Sequence, residues 1–408
     1  MDARALFVVT RAGFSSRIAA TLMACAAAAA LGAAPTPPAV KGAPPEGLAQ
    51  LGRLMFFDPS LSASGKQSCA TCHDPRYAYG PAPGKAFAVG GPAMDRPGKR
   101  AVPSLRYLHT VPAFQEQYRF IDGDVGPIGG LMWDGRAASL HEQAKLPLLN
   151  PDEMANKDVA AVARKLSRAG YAQLFRDAFG AHVFDDPRRA FAAGMRALEA
   201  FQQTPDQFFP YSSRYDAYLR GEAELTDQEE HGVELFKDPA KGNCASCHLG
   251  MSRGGTPPPF TDFDFVNVGV PRNPRIPANA DSAYYDLGLC GPERRDFAGR
   301  HEYCGYFRSP TVRNTAIRDA YFHNGAFSTL QEVMRFYNER DLHPEKFYPR
   351  NPDGSVHLYD DLPPGIPDNV DHDPPLDRKP GAEPALSDQD IEDIIAFLNT
   401  LVDADVAR

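Results

Sequence analysis

Two pentapeptides carry the strongest chemical signal in the 408-residue chain, Cys69-Ala-Thr-Cys72-His73 and Cys244-Ala-Ser-Cys247-His248. Cys-x-x-Cys-His is the attachment pattern of a c-type haem: both thiols form thioethers to the porphyrin and the adjacent histidine ligates the iron. A dithiol redox pair or half of a zinc site uses the same cysteines. Neither gives the following histidine a task, and here it recurs. The chain is therefore expected to hold two covalent haem c groups through Cys69, Cys72, Cys244 and Cys247, with His73 and His248 on the irons. A relay of electrons would close both irons with a sixth ligand. An enzyme would keep one sixth position open beside a group that moves protons.

The elements that must position these motifs are readable. Gly52-Arg-Leu-Met-Phe-Phe-Asp-Pro59 precedes the first motif and Gly232-Val-Glu-Leu-Phe-Lys-Asp-Pro239 the second. Each predicts a helix that stops at Asp-Pro and delivers a short loop to the haem, and the repeat indicates duplicated domains. Phe191, Met195, Leu198 and Phe201 recur at helical spacing, and Ser387 with Asp390 caps a terminal helix striped by Ile391, Ile394, Ile395 and Leu398. Such a terminal helix packs across the haem-binding helix in cytochrome c domains. No alternating strand pattern is evident. The expected fold is mainly α, two cytochrome c-type haem domains with long loops at 254–304 and 342–385 that act as functional covers or move. The boundary falls near Gly221, giving domains 49–220 and 221–408.

Residues 1–34 read as an export signal, with Arg11 and Arg17 before an apolar run from Ile18 to Leu31, and a Pro-rich linker follows over 35–48. Cleavage is expected near Ala34, which makes the protein periplasmic. Leu22-Met-Ala-Cys25 offers a lipoprotein cleavage box as the alternative. The run is shorter than the roughly 20 residues of a membrane span, so no stable span is expected. Loss of the signal takes the net charge from −9 to −11, which disfavours nucleic acid and favours encounter with basic partners. Cys290 and Cys304 remain and are expected to pair in an oxidising compartment, a structural link worth roughly 3 kcal/mol, with free thiols or a redox role as the alternatives.

Trp133-Asp-Gly-Arg-Ala137, followed by Gln143, Pro147 and Glu153-Met154, resembles the distal-side signature of the bacterial di-haem cytochrome c peroxidase and MauG family. Ser309-Pro-Thr-Val-Arg-Asn314, Tyr321-Phe-His-Asn-Gly325, Thr329-Leu330 and Phe336-Tyr-Asn338 resemble its C-terminal haem domain. The resemblance implies a reaction with hydrogen peroxide at the N-terminal haem. Glu153 is the implied distal acid–base group, Gln143 and Pro147 line its pocket, and Trp133 bridges electrons between the haems. The electrons come from a small cytochrome c or cupredoxin, or the oxidising power is spent on a protein substrate as in MauG. As ordinary structure, Asn150-Pro-Asp-Glu153 also reads as a helix N-cap with a capping-box Glu, and a lone Trp is most often core. A non-catalytic di-haem carrier is the alternative function.

Three departures refine the expectation. The peroxidases cap the N-terminal haem with a loop histidine, and none lies between His73 and His109. They ligate the C-terminal haem with methionine, whereas the matching residue here is Tyr337, as in MauG; Met334, one helical turn earlier, is the competing ligand. The family also holds a bridging calcium ion with an asparagine. Arg100-Ala-Val-Pro103 stands in that stretch, which leaves backbone carbonyls as the donors for calcium. His323 and Arg313 match family positions and take structural or propionate-binding roles.

Overall fold

In the computed structural model, which describes residues 46–118, 125–251 and 255–406, both haem motifs follow one helix of a crossed pair. The export segment, Cys25 and residues 35–45 lie outside the described residues. The first half carries α1 (Glu46–Phe56), the single turn α2 (Cys69–Cys72), α3 (Leu140–Leu149), α4 (Val159–Arg168), α5 (Ala172–Phe179) and α6 (Pro187–Gln202). Two short helices, α7 (Pro205–Phe208) and α8 (Arg214–Leu219), lead to α9 (Asp227–Lys237), α10 (Leu330–Glu339) and α11 (Asp388–Thr400).

Helix α1 crosses α6, and α9 crosses α11. At the crossings sit Gly52 and Gly232, the glycines of the repeated segment. A Cβ on Gly52 would lie 1.9 Å from the Ala197 carbonyl oxygen, and one on Gly232 would lie 2.0 Å from that of Asp393. The aromatic contact beside each crossing is also repeated. Phe56 meets Phe201 edge-on at 5.4 Å, and Phe236 meets Phe397 at 5.2 Å. Both entry helices then end alike, because Asp58 and Asp238 each accept the backbone N–H two residues on, at 2.8 Å, ahead of the motif loop. The expected faces are buried: Phe191, Met195, Leu198 and Phe201 on α6, and Ile391, Ile394 and Leu398 on α11, with Ile395 at the margin. Ser387 and Asp390 close a reciprocal capping box at the start of α11.

A polar seam joins the two halves. Arg106 donates to Asp403 and Asp405 at 2.7 and 2.5 Å, Tyr107 donates to Asp403 at 2.6 Å, and Asn314 donates to Asp403 at 2.7 Å. Among the described residues the strands form three two-stranded antiparallel ribbons, β1–β2 (Val89–Gly90, Arg96–Pro97), β3–β4 (Gln115–Tyr118, Val125–Ile128) and β5–β6 (Phe265–Val266, Phe307–Arg308). Strands of two to four residues are too short to display a period of two, so no alternating pattern marks them. Cys290 and Cys304 are bridged as expected. Among the described residues no helix is long and apolar enough to cross a membrane.

Gly232→Ala is expected to lower stability by at least the ~1–3 kcal/mol of ordinary overpacking, because the new methyl meets a backbone carbonyl that cannot swing away. Gly47→Ala on α1, with nothing within 4 Å, is expected to raise stability by about 0.5–1 kcal/mol. Denaturant unfolding of the two variants measures both.

Candidate haem sites

Each proximal histidine is oriented by a backbone carbonyl. His73 Nδ1 lies 3.1 Å from the Tyr79 oxygen, and His248 Nδ1 lies 3.1 Å from the Pro310 oxygen. Engaging Nδ1 in this way fixes the ring and leaves Nε2 for a metal. Burial holds both rings neutral, with His73 pushed down to about 4 and His248 also lowered. The thiols run the opposite way from a redox dithiol, which needs a depressed pKa. Burial first of all pushes Cys69, Cys244 and Cys247 up to about 12, and Cys72 up to about 11.

The second motif opens on a cavity of about 820 Å³ lined by Cys244, Cys247, His248, Trp133, Met334 and Tyr337. Two polar atoms on residues of its lining, Arg308 Nε and His323 Nε2, are buried with no hydrogen-bond partner. A large apolar cleft with two thiols, a metal-ready imidazole and orphaned polar atoms fits a haem, whose propionates would meet such atoms. Tyr337 stands among Phe322 and Phe336. Burial raises its phenol, and the Cys247 and Cys244 thiols add to that. Met334 also lines the cavity, but it belongs to the core around Leu235 and Phe236. The segments 261–310 and 361–376 supply much of the wall, so the two long loops act as covers.

At the first motif Gln143, buried, and Pro147 share one face of α3, four residues apart. Pro147 has no N–H to give the Gln143 carbonyl. The chain then doubles back. Asn150 is the C-cap of α3, and its side chain donates to Glu153 at 2.6 Å. The alternative reading of Asn150 as a helix N-cap does not hold, because the apolar face of α3 runs up to Leu149 and Asn150 ends that helix. The turn is pinned from outside: Gly91 N–H donates to the Glu153 oxygen at 2.8 Å and Ala63 N–H to the Met154 oxygen at 2.7 Å. Burial raises the Glu153 carboxyl, with Asn150 and Arg136 opposing and Glu293 and Asp152 reinforcing. The carboxyl is near enough to the motif to help push up Cys72 and Cys69.

Helices α3 and α10 belong to a second repeat that sequence reading missed. Leu131 bridges Ala137 and Tyr321 bridges Phe327. Met132 and Phe322 both have positive φ, as do Gly135 and Gly325. Ser139 caps α3, Thr329 caps α10, and both helices are ten residues long. The register is an offset of 190, which aligns Trp133 with His323, Asp134 with Asn324 and Pro147 with Tyr337. The available signal was Asp134-Gly and Asn324-Gly, each followed at the same distance by a Ser or Thr cap.

Other expected residues take definite places. Trp133 donates Nε1–H to the Ala101 oxygen at 2.8 Å and lines the large cavity. Arg313 spends both Nη groups on Asp216 at 2.9 Å and Nε on the Pro258 oxygen. Three of its five N–H groups are thus engaged within the protein, and the side chain is fully buried in its pair with Asp216. His109 stacks on Phe209 at 3.8 Å. Among the described residues no group of three or more His, Cys, Asp or Glu is arranged to hold a metal ion.

The chain is 37% identical over 367 residues to the methylamine utilization protein MauG of Paracoccus denitrificans, covering 88% of this chain and 89% of that one. It belongs to the di-haem cytochrome c peroxidase and MauG family. The family profile described as di-haem cytochrome c peroxidase matches residues 46–224. The cytochrome c551 peroxidase of Pseudomonas aeruginosa is 30% identical over 298 residues, 72% of each chain. The crystal structure of the diheme peroxidase BthA from Burkholderia thailandensis aligns with a TM-score of 0.81 at 39% identity, covering 91% of this chain and 90% of that one. This family member is thus an oxidoreductase acting on peroxide, with two haem c cofactors and a mainly helical fold.

A Cβ on Gly90 would lie 2.7 Å from Glu153 Cα and 2.4 Å from the Asp152 oxygen. Gly90→Ala is expected to displace the Glu153 turn, perturbing the absorption spectrum of the first haem while leaving that of the second unchanged. Comparing the spectra of variant and parent holoprotein checks this.

Proposed function

We propose that the protein is a periplasmic peroxidase in which hydrogen peroxide reacts beside His73, under Glu153, Gln143 and Pro147, in a module of residues 49–220. The haem of the 221–408 module, attached at Cys244 and Cys247 and ligated by His248 and Tyr337, exchanges electrons with it through Trp133. The observation that carries this reading is the register of the repeat, which sets Pro147 where its counterpart has Tyr337. A pyrrolidine has no donor to offer a bound iron. A phenol offers a hard oxygen that suits ferric iron. A non-catalytic carrier would gain from a ligand at both.

When bound, haem c supplies one-electron chemistry and, beside His73, a metal position for peroxide. The chain supplies the proton handling. Glu153 takes the proton from one peroxide oxygen and returns it to the other, the oxygen that leaves as water. Overall, peroxide gains two electrons and two further protons and yields two waters. Asn150 holds the carboxyl from behind, and burial keeps its proton affinity above that of an exposed glutamate. The acidic surface suits a basic cytochrome c or cupredoxin as electron donor. Tyr337 and the likeness to MauG favour a second use of the same site, oxidation of side chains on a partner protein.

Mixing the fully oxidised holoprotein with stoichiometric hydrogen peroxide in a stopped-flow instrument is expected to give a prompt Soret change without pre-reduction. Glu153→Gln is expected to slow it by about 10²–10⁴-fold; an undiminished rate would reject the role of Glu153. The carboxylate must be free to accept a proton. The parent rate is therefore expected to rise with pH through a value above the ordinary glutamate range, and that rise vanishes in Glu153→Gln.

A further inference from the structure

We propose that Arg100 is a positioning residue for electron transfer, a guanidinium clamp that fixes Trp133 against the second haem cavity. The inference rests on the bridging role given to Trp133 above. Arg100 is only 11% exposed in its side chain, Asp134 is fully buried and Asp286 is 8% exposed. Arg100 donates Nη1 to Asp134 at 2.7 Å, and Nε and Nη2 to the two oxygens of Asp286 at 2.5 and 2.7 Å. Asp134 also receives Arg136 at 2.7 Å. The Arg100 guanidinium lies over the Phe307 ring at 5.5 Å, and that ring stacks on His323 at 3.4 Å.

The neighbouring residue shows what the clamp holds. Ala101 accepts the Trp133 indole N–H and donates its own N–H to the His323 oxygen at 2.8 Å. Trp133 and His323 are equivalent positions of the repeat, so the chain at 100–101 is threaded between the two copies. Trp133 and Asp134 are consecutive, as are Ala101 and Arg100. One hydrogen bond and one ion pair therefore fix the register of the two segments at adjacent points. Arg308 N–H donates to the Trp133 oxygen at 2.9 Å and completes the cradle. A bidentate fork sets direction as well as distance, which a lysine ammonium does not. Without Arg100, Asp286 is a buried carboxylate that has lost its cation, and the segment must shift to reach water.

The test uses haem-loaded Arg100→Ala, Arg100→Lys, Asp286→Asn and Trp133→Phe. Trp133 is the only tryptophan, so the indole N–H hydrogen-bond marker band in ultraviolet resonance Raman reports on it alone. In Arg100→Ala that band is expected to move toward a weaker hydrogen bond. The spectral response of the second haem after peroxide addition is expected to slow roughly 10–100-fold, the scale set by an ångström of misplacement. The bimolecular reaction at the first haem stays unchanged, and Arg100→Lys recovers part of both effects. If Arg100→Ala does not fold, Asp286→Asn is expected to move both readouts in the same direction and decides the matter. An unchanged marker band or an unchanged second-haem response in the folded variant overturns the clamp. If Trp133→Phe itself leaves the second-haem response unchanged, the bridging role fails instead, and the marker band alone decides whether Arg100 positions the indole.

Discussion

Close approach of two helices at a glycine governs the geometry of each half. With no Cβ on Gly52 or Gly232, α1 and α9 bring their backbones into contact with the carbonyls of Ala197 and Asp393. The Phe56–Phe201 and Phe236–Phe397 pairs then lock beside the crossings. The Asp-Pro stops follow directly, so the Cys-x-x-Cys-His loops emerge at a fixed place relative to the core. His73 and His248 reach that place with Nδ1 already engaged by a carbonyl. Nε2 is thereby presented without rotational freedom, and little ordering remains to be done when a metal binds.

The duplication is uneven in an informative way. The loops before α3 and α10 use the same bridge, left-handed residues at the same positions and a hydroxyl cap at the same position, so the frame is common. What differs is the chemistry set upon it. One copy presents Pro147 and folds back so that a buried carboxyl faces the motif. The other presents Tyr337 in a closed aromatic wall. On the proposed reading, placing unlike residues at one frame position would let a single architecture treat two haems differently, without two different folds.

What could be read from the sequence is what local spacing encodes. The cysteine and histidine motifs, the Ser387 capping box, the stripe on α11 and the Asp-Pro stops depend on residues within a turn or two of one another. Glu153 shows the limit of such reading: Asn150-Pro-Asp-Glu153 has the residues of a helix start, yet the preceding apolar run makes Asn150 the end of α3. The clamp of Arg100 on Asp134 and Asp286 and the pair of Arg106 with Asp403 were illegible for a different reason. Their members lie up to 297 residues apart, and a charged residue gives no local sign of whether its partner is water or a buried counter-ion. The pairing of Trp133 with His323 was hidden because the repeat keeps backbone conformation while its side chains diverge.

On the proposed reading, Pro147 would offer a bound iron no donor, whereas Tyr337 would ligate the other through its phenol oxygen. Electron paramagnetic resonance of the frozen, fully oxidised holoprotein tests this most directly. Two ferric signals of equal spin count are expected, one high-spin and one low-spin. Two low-spin signals would mean that both irons are closed and would contradict this reading.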